Sequence, residues 1–197
     1  MTVETQYAPV RRVAGADLEE VPAVLTEAFM DDPVVRWLSP EPADRRRFQP
    51  HFYRSLLTHP SGEAYLAGDR AGASIWLTLT TAPAPDGGGP ETAPGRRLRA
   101  LGEALRRRHP DVEPHLYLPC VGVVAAHRGA GLGSAMLRHR LARADADGLP
   151  AYLEASSARS RALYLRHGFE DLGAPVRVAD SPSLWPMWRR PREGAAK

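Results

Sequence analysis

A glycine-rich loop joins a buried strand directly to an amphipathic helix, and this junction constrains the fold more than any other segment. Residues 116–124 (LYLPCVGVV) form a nearly continuous apolar run, which is typical of a strand covered on both faces. Gly129, Gly131 and Gly133 follow this strand. Apolar residues at i, i+4 and i+7 then predict a helix with one buried face: Leu137, Leu141 and Ala144.

The glycines allow backbone N–H groups to converge where the helix begins. These amides and the positive end of the helix dipole together form an anion site, so the loop predicts a diphosphate ligand. A triphosphate-binding loop would need a Lys-Ser or Lys-Thr pair after its last glycine, where Ser134 and an alanine stand. A dinucleotide-binding fingerprint that starts at Gly129 would need its third glycine at position 134, where Ser134 stands. Glu154 does lie about 20 residues further on, where such a fold has a ribose-binding acid. That second interpretation is weak but stays open.

A strand at Ala151–Ala155 follows the helix, and strand, helix and strand in this order favour a right-handed crossover between parallel strands. We therefore expect an α/β fold in one domain over residues 1–197, with a core at about 8–190. Residues 81–95, rich in Ala, Pro, Gly and Thr, predict a flexible loop. Further strands are expected at 10–13, 64–67, 73–79, 169–172 and 184–188, and helices at 17–30, 34–38, 45–57, 98–105 and 159–167.

Composition excludes several classes of protein. No apolar run is long enough to span a membrane and no secretory signal is visible, so we expect a cytoplasmic protein. Cys120 is the single cysteine, and the seven histidines lack ligand spacing, so no disulfide and no metal site are expected. Lys197 is the only lysine among 26 basic residues, and the net charge is +3, so nucleic-acid binding is a weak expectation. The sequence leaves a homodimer open.

Two motifs in order resemble the GNAT superfamily of N-acetyltransferases. Residues 128–133 (RGAGLG), between strand and helix, resemble the acetyl-CoA loop, and residues 163–169 (LYLRHGF) resemble the tyrosine-containing helix end of the cofactor site. Residues 121–123, 28–33 and 152–157 add further similarity. The chain is most similar to the puromycin N-acetyltransferase branch, over nearly its whole length except the loop at 81–95.

The resemblance implies a GNAT-type fold, with a mixed central sheet flanked by helices and two central parallel strands that splay apart to admit acetyl-CoA. In the family the first strand pairs with the pantetheine arm and the loop amides bind the pyrophosphate. Ser157 stands where the family often has an asparagine, so a side-chain amide contact to the cofactor would be either absent or replaced by the Ser157 hydroxyl. The cofactor residues implied are Val121, Gly122, Val123, Arg128, Gly129, Ala130, Gly131, Leu132, Gly133, Ser134 and Ser157.

Acyl transfer to an amine needs two proton transfers, and the resemblance assigns one of them to Tyr164. Tyr164 would protonate the departing thiolate, since a phenol with a pKa of about 10 stays protonated at neutral pH; the alternative is an aromatic that only packs. Strand alternation places Glu154 on the same face as Tyr152, opposite Leu153, where it could bind the amine or accept its proton. The alternative for Glu154 is a surface or ion-paired carboxylate.

Phe29 and Asp32 are candidate residues of the acceptor pocket. The Phe29 ring would pack against an apolar part of the acceptor, and the Asp32 carboxylate would bind its cationic amine. The alternative for Asp32 is a helix stop before Pro33. Cys120 is expected to be an inert, buried thiol. We expect an enzyme that moves an acetyl group from acetyl-CoA to a primary amine of a small molecule by direct attack. The rival interpretation is a nucleic-acid or regulatory binding module with the same fold.

Overall fold

The computed structural model describes residues 9–81, 92–111 and 113–192. Seven strands lie within these residues. They are β1 (Val10–Val13), β2 (Gly62–Ala67), β3 (Gly72–Leu79), β4 (His115–Val123), β5 (Ala151–Ala155), β6 (Glu170–Asp171) and β7 (Trp185–Arg189). The α-helices are α1 (Glu20–Ala28), α2 (Pro33–Leu38), α3 (Pro42–Leu57), α4 (Ala93–Arg106), α5 (Leu132–Ala146) and α6 (Ala158–Arg166).

The strands form one mixed sheet in the order β1-β2-β3-β4-β5-β7-β6. Among the described strands, β4 and β5 are the one parallel pair, and α5 connects them as the crossover helix. The sequence-based prediction of a mixed α/β sheet flanked by helices is thus confirmed.

The parallel pair separates soon after it forms. β4 and β5 are paired at Leu116↔Ala151 and Tyr117↔Tyr152, and β4 then continues to Val123 while paired with β3. No described strand pairs with the β5-facing edge of β4 beyond Tyr117. The resulting splay leaves backbone N–H and C=O groups available between the two strands.

A β-bulge in β4 divides its side chains between two cores. The register with β3 shifts between Ile75 and Leu77, so two residues of β4, Leu118 and Pro119, lie opposite one residue of β3. Pro119 has no amide to contribute to a ladder, and a bulge tolerates that loss. Leu118 consequently packs in the core beneath α5, whereas Cys120 packs in the core on the face covered by α1 and α3.

Two sequence-based boundaries were wrong. Helix α4 begins at Ala93, so residues 93–95 are helical and not part of the predicted loop at 81–95; residues 82–91 of that loop lie outside the described residues. The Thr92 hydroxyl accepts the Gly95 N–H at 3.3 Å and caps the helix, with a proline in its first turn. The helix expected at 17–30 is a 3₁₀ turn followed by α1. Helix α1 has Pro22 in its first turn, where the sequence favours the start of the regular helix, and it ends at Ala28.

In the parts of the chain that the structure describes, no helix is both long and apolar enough to cross a membrane.

Candidate active site

The glycine loop has the backbone geometry that an anion site needs. Gly129 and Gly131 have φ of +91° and +81°, in the left-handed region that favours glycine. Gly131 is the N-cap of α5 and provides no side-chain acceptor. The amides of the first helical turn, at residues 132–134, have no acceptor within the helix and are available to an anion.

Side chains around this loop fix it to the rest of the fold. The Arg128 guanidinium donates to the carbonyls of Ala28 (2.8 Å) and Val123 (3.3 Å), which ties the loop to α1 and β4. The Ser134 hydroxyl lies 3.1 Å from His167 Nε2, at the end of α6. The side chains of Arg128 and Ser134 therefore hold the loop in place. The predicted contacts of these two residues with the cofactor would be made by their backbone amides.

The splayed end of β4 carries a glycine under a close-packed ring. Val121, Gly122 and Val123 are half-buried. A Cβ added at Gly122 would lie 2.8 Å from the Ala28 Cβ and 2.9 Å from Phe29 Cε2, closer than real contacts allow. Gly122 therefore lets α1 approach β4, and this contact places Phe29 beside the splay.

We expect Gly122→Ala to destabilise the fold by about 1 to 3 kcal/mol, because the new methyl group must displace the Phe29 ring or the end of α1. Urea unfolding measures the change. Gly102→Ala is the matched control: this glycine lies inside α4 with nothing within 4 Å of an added Cβ, so we expect stabilisation by up to about 1 kcal/mol. Equal stability of the Gly122→Ala variant and the unmodified chain would contradict the proposed contact.

Tyr164 lies on α6 with its side chain directed into the core. It is 7% exposed, and its ring packs edge-on against Phe169 at 5.9 Å between centroids. Gly168 (φ +87°) ends the helix as predicted: its N–H bonds the Leu165 carbonyl, and the Phe169 N–H bonds the Tyr164 carbonyl. Burial raises the pKa of the Tyr164 phenol, as do the nearby Cys120 and Asp32, so the hydroxyl keeps its proton at neutral pH.

Glu154 is buried at the point where β4 and β5 diverge. Its side chain is 6% exposed, and its Oε2 accepts a hydrogen bond from the Tyr117 hydroxyl at 3.0 Å. His109 Nδ1 lies 4.0 Å from its Oε1. Burial raises the pKa of Glu154 to about 7, against the opposing effect of the Tyr117 hydrogen bond. The surface alternative for Glu154 was therefore wrong, and the predicted face shared with Tyr152 is correct, since Leu153 packs in the opposite core.

Asp32 caps helix α2. Its Oδ1 accepts the Val34 and Val35 amides at 2.8 and 3.1 Å, and its Oδ2 accepts the Ser156 hydroxyl at 2.7 Å. Burial raises the pKa of Asp32, and these hydrogen bonds oppose the shift. These contacts are those of a residue at a helix boundary, as one of the two sequence-based interpretations of Asp32 expected. The role of Asp32 in binding an amine stays a prediction. The Ser156 bond brings α2 to the end of β5, beside Glu154.

Ser157, a predicted cofactor residue, makes contacts inside the fold, and Cys120 is buried as expected. The Ser157 hydroxyl caps α6 by accepting the Ser160 N–H at 3.1 Å, and it lies 3.0 Å from the Ser160 hydroxyl. Its contact with a cofactor stays a prediction. Cys120 is buried, and burial raises the pKa of its thiol, with Asp32 and Glu154 adding to the shift. The thiol is therefore protonated and unsuited to covalent acyl transfer.

Two aromatic neighbours of Glu154, Tyr117 and His109, were not among the sequence-based candidates. The ring of His109, in the loop after α4, lies 4.9 Å from Tyr117 and 4.5 Å from Tyr152 between centroids. A tyrosine within the buried strand next to β5 was a visible signal for Tyr117. Nothing near His109 in the sequence indicates that its loop folds back over the sheet.

Comparisons with known proteins agree with this arrangement. The sequence model of the family described as "Acetyltransferase (GNAT) family" matches residues 97–169, which include β4, the glycine loop and α6. The chain is similar to the solved structure of the histone acetyltransferase HPA2 and related acetyltransferase from Corynebacterium glutamicum. The two share 30% identity over 95% of this chain and 98% of that chain, with a TM-score of 0.70.

Two more distant structures share the fold. Arylalkylamine N-acetyltransferase 2 from Aedes aegypti is 14% identical over 93% of this chain and 99% of that chain, with a TM-score of 0.65. The ribosomal-protein-S18-alanine N-acetyltransferase from Escherichia coli is 15% identical over 93% of both chains, with a TM-score of 0.58.

Proposed function

This chain belongs to the GNAT acetyltransferase family, and we propose that it transfers an acetyl group from acetyl-CoA to a primary amine of a small molecule by direct attack. One observation carries the proposal: the β4–β5 splay has the glycine loop at its mouth and a buried carboxylate, Glu154, beside it. The described strands belong to one sheet, which supports a single N-acetyltransferase domain.

The residues of the splay fit the donor. The open edge of β4 at Val121 and Val123 can pair with an extended amide-containing arm, as an added strand would. The amides at residues 132–134 and the start of α5 suit a pyrophosphate. Bound acetyl-CoA would supply an acetyl thioester, whose carbonyl carbon is the electrophile and whose sulfur is the leaving group.

Glu154 and Tyr164 would then divide the proton transfers. An amine binds as an ammonium ion at neutral pH and must lose a proton before its nitrogen can attack. With a pKa of about 7, Glu154 is ionised often enough to accept that proton and basic enough to hold it. The Tyr164 hydroxyl would donate a hydrogen bond and then its proton to the departing sulfur.

The acceptor side has a mixed apolar and acidic lining. Phe29 is half-buried above Gly122, and its ring lies 6.3 Å from the ring of Tyr53. Asp32 and Glu154 add negative charge near the splay, and both raise the pKa of the Cys120 thiol. A cation with an apolar body suits this lining. The resemblance to the puromycin N-acetyltransferase branch points the same way.

Cofactor binding can be tested with a pair of glycine variants. Gly131→Val forces a branched residue to adopt φ near +81° and brings its side chain to the phosphate site, so we expect acetyl-CoA affinity to fall at least about tenfold. Gly148→Val is the matched control, with φ of +64° at the other end of α5. Both variants carry similar backbone strain, but only Gly131→Val should weaken acetyl-CoA binding in calorimetric titration. Equal affinities would overturn the loop assignment.

The same titration separates an enzyme from a binding module. A nucleic-acid binder would bind a generic oligonucleotide with an affinity that falls steeply with salt. We expect acetyl-CoA to bind and the oligonucleotide not to. A screen of primary amines that follows release of free thiol then identifies the acceptor class.

A further inference from the structure

A chain of two buried histidines leads from the backbone of an exposed loop to Glu154. His115 Nδ1 lies 2.9 Å from the Glu113 carbonyl oxygen. His115 Nε2 lies 2.9 Å from His109 Nε2, and His109 Nδ1 lies 4.0 Å from Glu154 Oε1. The His109 side chain is 2% exposed and His115 is fully buried.

Hydrogen-bond chemistry determines which nitrogen carries each proton. A carbonyl oxygen can only accept, so His115 Nδ1 must be the donor to Glu113. A neutral His115 then has a bare Nε2, which accepts from His109 Nε2–H. Burial, and next the neighbouring His115, lower the pKa of His109 to about 4, so it is neutral at physiological pH. His109 Nδ1 is therefore a bare acceptor directed at Glu154.

The distance to Glu154 agrees with this assignment. Two lone-pair atoms with no proton between them repel, and 4.0 Å is beyond hydrogen-bond range. A proton on Glu154 Oε1 would turn the repulsion into an O–H···N hydrogen bond. The other oxygen, Oε2, faces a hydrogen-bond donor. The Tyr117 hydroxyl donates to it and so favours the ionised form of Glu154.

We propose that the His115–His109 chain fixes His109 as a proton acceptor toward Glu154, so that the amine's proton is held on Oε1 during turnover. This inference rests on the proposed function of Glu154 as the base. The proton leaves the ammonium nitrogen, forms the Oε1–H bond and is shared with His109 Nδ1, while the Tyr117 hydroxyl keeps its proton and continues to donate a hydrogen bond to Oε2. His109 is a positioning residue, since it acts through Glu154.

Several other groups face this carboxylate. Tyr152 lies on the same strand, and its buried hydroxyl acts on Glu154 as a second donor that opposes the rise in the carboxyl's pKa, after that of Tyr117. Glu154 and Asp32 both raise the pKa of the Cys120 thiol on β4. The charge of Arg108 acts on Tyr152. His109 differs from these groups because it alone offers Oε1 a bare nitrogen along a chain whose tautomers are fixed by a backbone carbonyl.

The tautomers can be observed without any assay of activity. In protein labelled with ¹⁵N-histidine at pH 7.5, we expect His109 to be protonated on Nε2 and His115 on Nδ1. His109→Gln and His115→Gln assign the signals among the seven histidines. A proton on His109 Nδ1 would overturn the inference, whatever reaction the protein catalyses.

The pH profile of kcat/KM tests the effect on the base. His109→Gln replaces a bare acceptor with an amide that can donate, which favours the carboxylate, so the acid limb should move down by about one pH unit. Tyr117→Phe removes the donor and should move the limb up by a similar amount. His51→Gln, at an exposed position on α3, is the control and should leave the limb in place.

The two proposals fail in different ways. If Glu154→Gln keeps the acid limb, Glu154 is not the base and the proposed mechanism is wrong. If Glu154→Gln removes the limb but His109→Gln leaves it unmoved or raises it, the base is correct and the role of His109 is overturned. Should His109→Gln fail to fold, the ¹⁵N spectrum of the unmodified protein still decides the tautomer chain.

Discussion

Replacing Tyr164 with phenylalanine is expected to lower kcat by about 10²- to 10⁴-fold, the range for a positioned general acid, with little change in acetyl-CoA affinity. The substitution keeps the ring and its packing against Phe169 and removes only the hydroxyl. Stopped-flow release of free thiol measures the effect, under conditions where chemistry limits the rate.

Tyr65→Phe is the matched control for this variant. Tyr65 is also a buried tyrosine, but its hydroxyl donates to Glu63 on β2, away from the splay. We expect the control to keep its turnover. If Tyr164→Phe also keeps most of its turnover, Tyr164 is an aromatic that only packs, which is the alternative that sequence analysis left open.

The local sequence pattern was enough to predict the elements that carry the site. The apolar run of β4, the glycines and the periodic apolar positions of α5 lie next to one another in the chain, so the strand–loop–helix unit could be identified directly. Strand alternation also gave the correct face for Glu154, because a strand has a period of two whatever its neighbours are. The splay followed from the family resemblance, since no periodicity indicates where two strands part.

Features that depend on long-range contacts were not predictable. The burial of Glu154 comes from Tyr117 on another strand and from His109 in a distant loop. The β4 bulge at Pro119 depends on the register with β3. The start of α4 was missed for a local reason: Ala-Pro-Gly has the composition of a loop, yet proline is compatible with a first helical turn once Thr92 caps it.

Asp32 shows how one residue can satisfy two sequence-based interpretations. An aspartate before a proline predicts a helix boundary, and the structure places two α2 amides on its Oδ1. The same side chain also receives the Ser156 hydroxyl from the end of β5, beside the candidate base. A capping role therefore does not remove Asp32 from the site, but it limits how freely the carboxylate can turn toward an amine.

Glu154→Gln is expected to lower kcat at neutral pH by about 10²- to 10⁴-fold and to abolish the acid limb of the pH profile. With the pKa of Glu154 raised to about 7, the unmodified enzyme should lose activity as the pH falls below 7, because the base becomes protonated. The glutamine retains an oxygen that can accept from Tyr117, so the local packing is kept. Initial rates between pH 5.5 and pH 9 measure the profile.

The same variant should be more stable than the unmodified protein above pH 7. Burial raises the pKa of Glu154 from 4.5 in the unfolded chain to about 7 in the folded protein. The folded state therefore binds this proton more tightly, and the resulting contribution to stability is complete below pH 4.5 and is lost as the pH rises through 7. A neutral glutamine avoids the loss, which corresponds to about 3 kcal/mol at alkaline pH. Urea unfolding at pH 5 and pH 8 measures it. A variant that is inactive but more stable at pH 8 would show that the fold tolerates this buried carboxylate at a cost in stability, as expected for a catalytic base. A variant less stable at both pH values would show that Glu154 instead supports the fold.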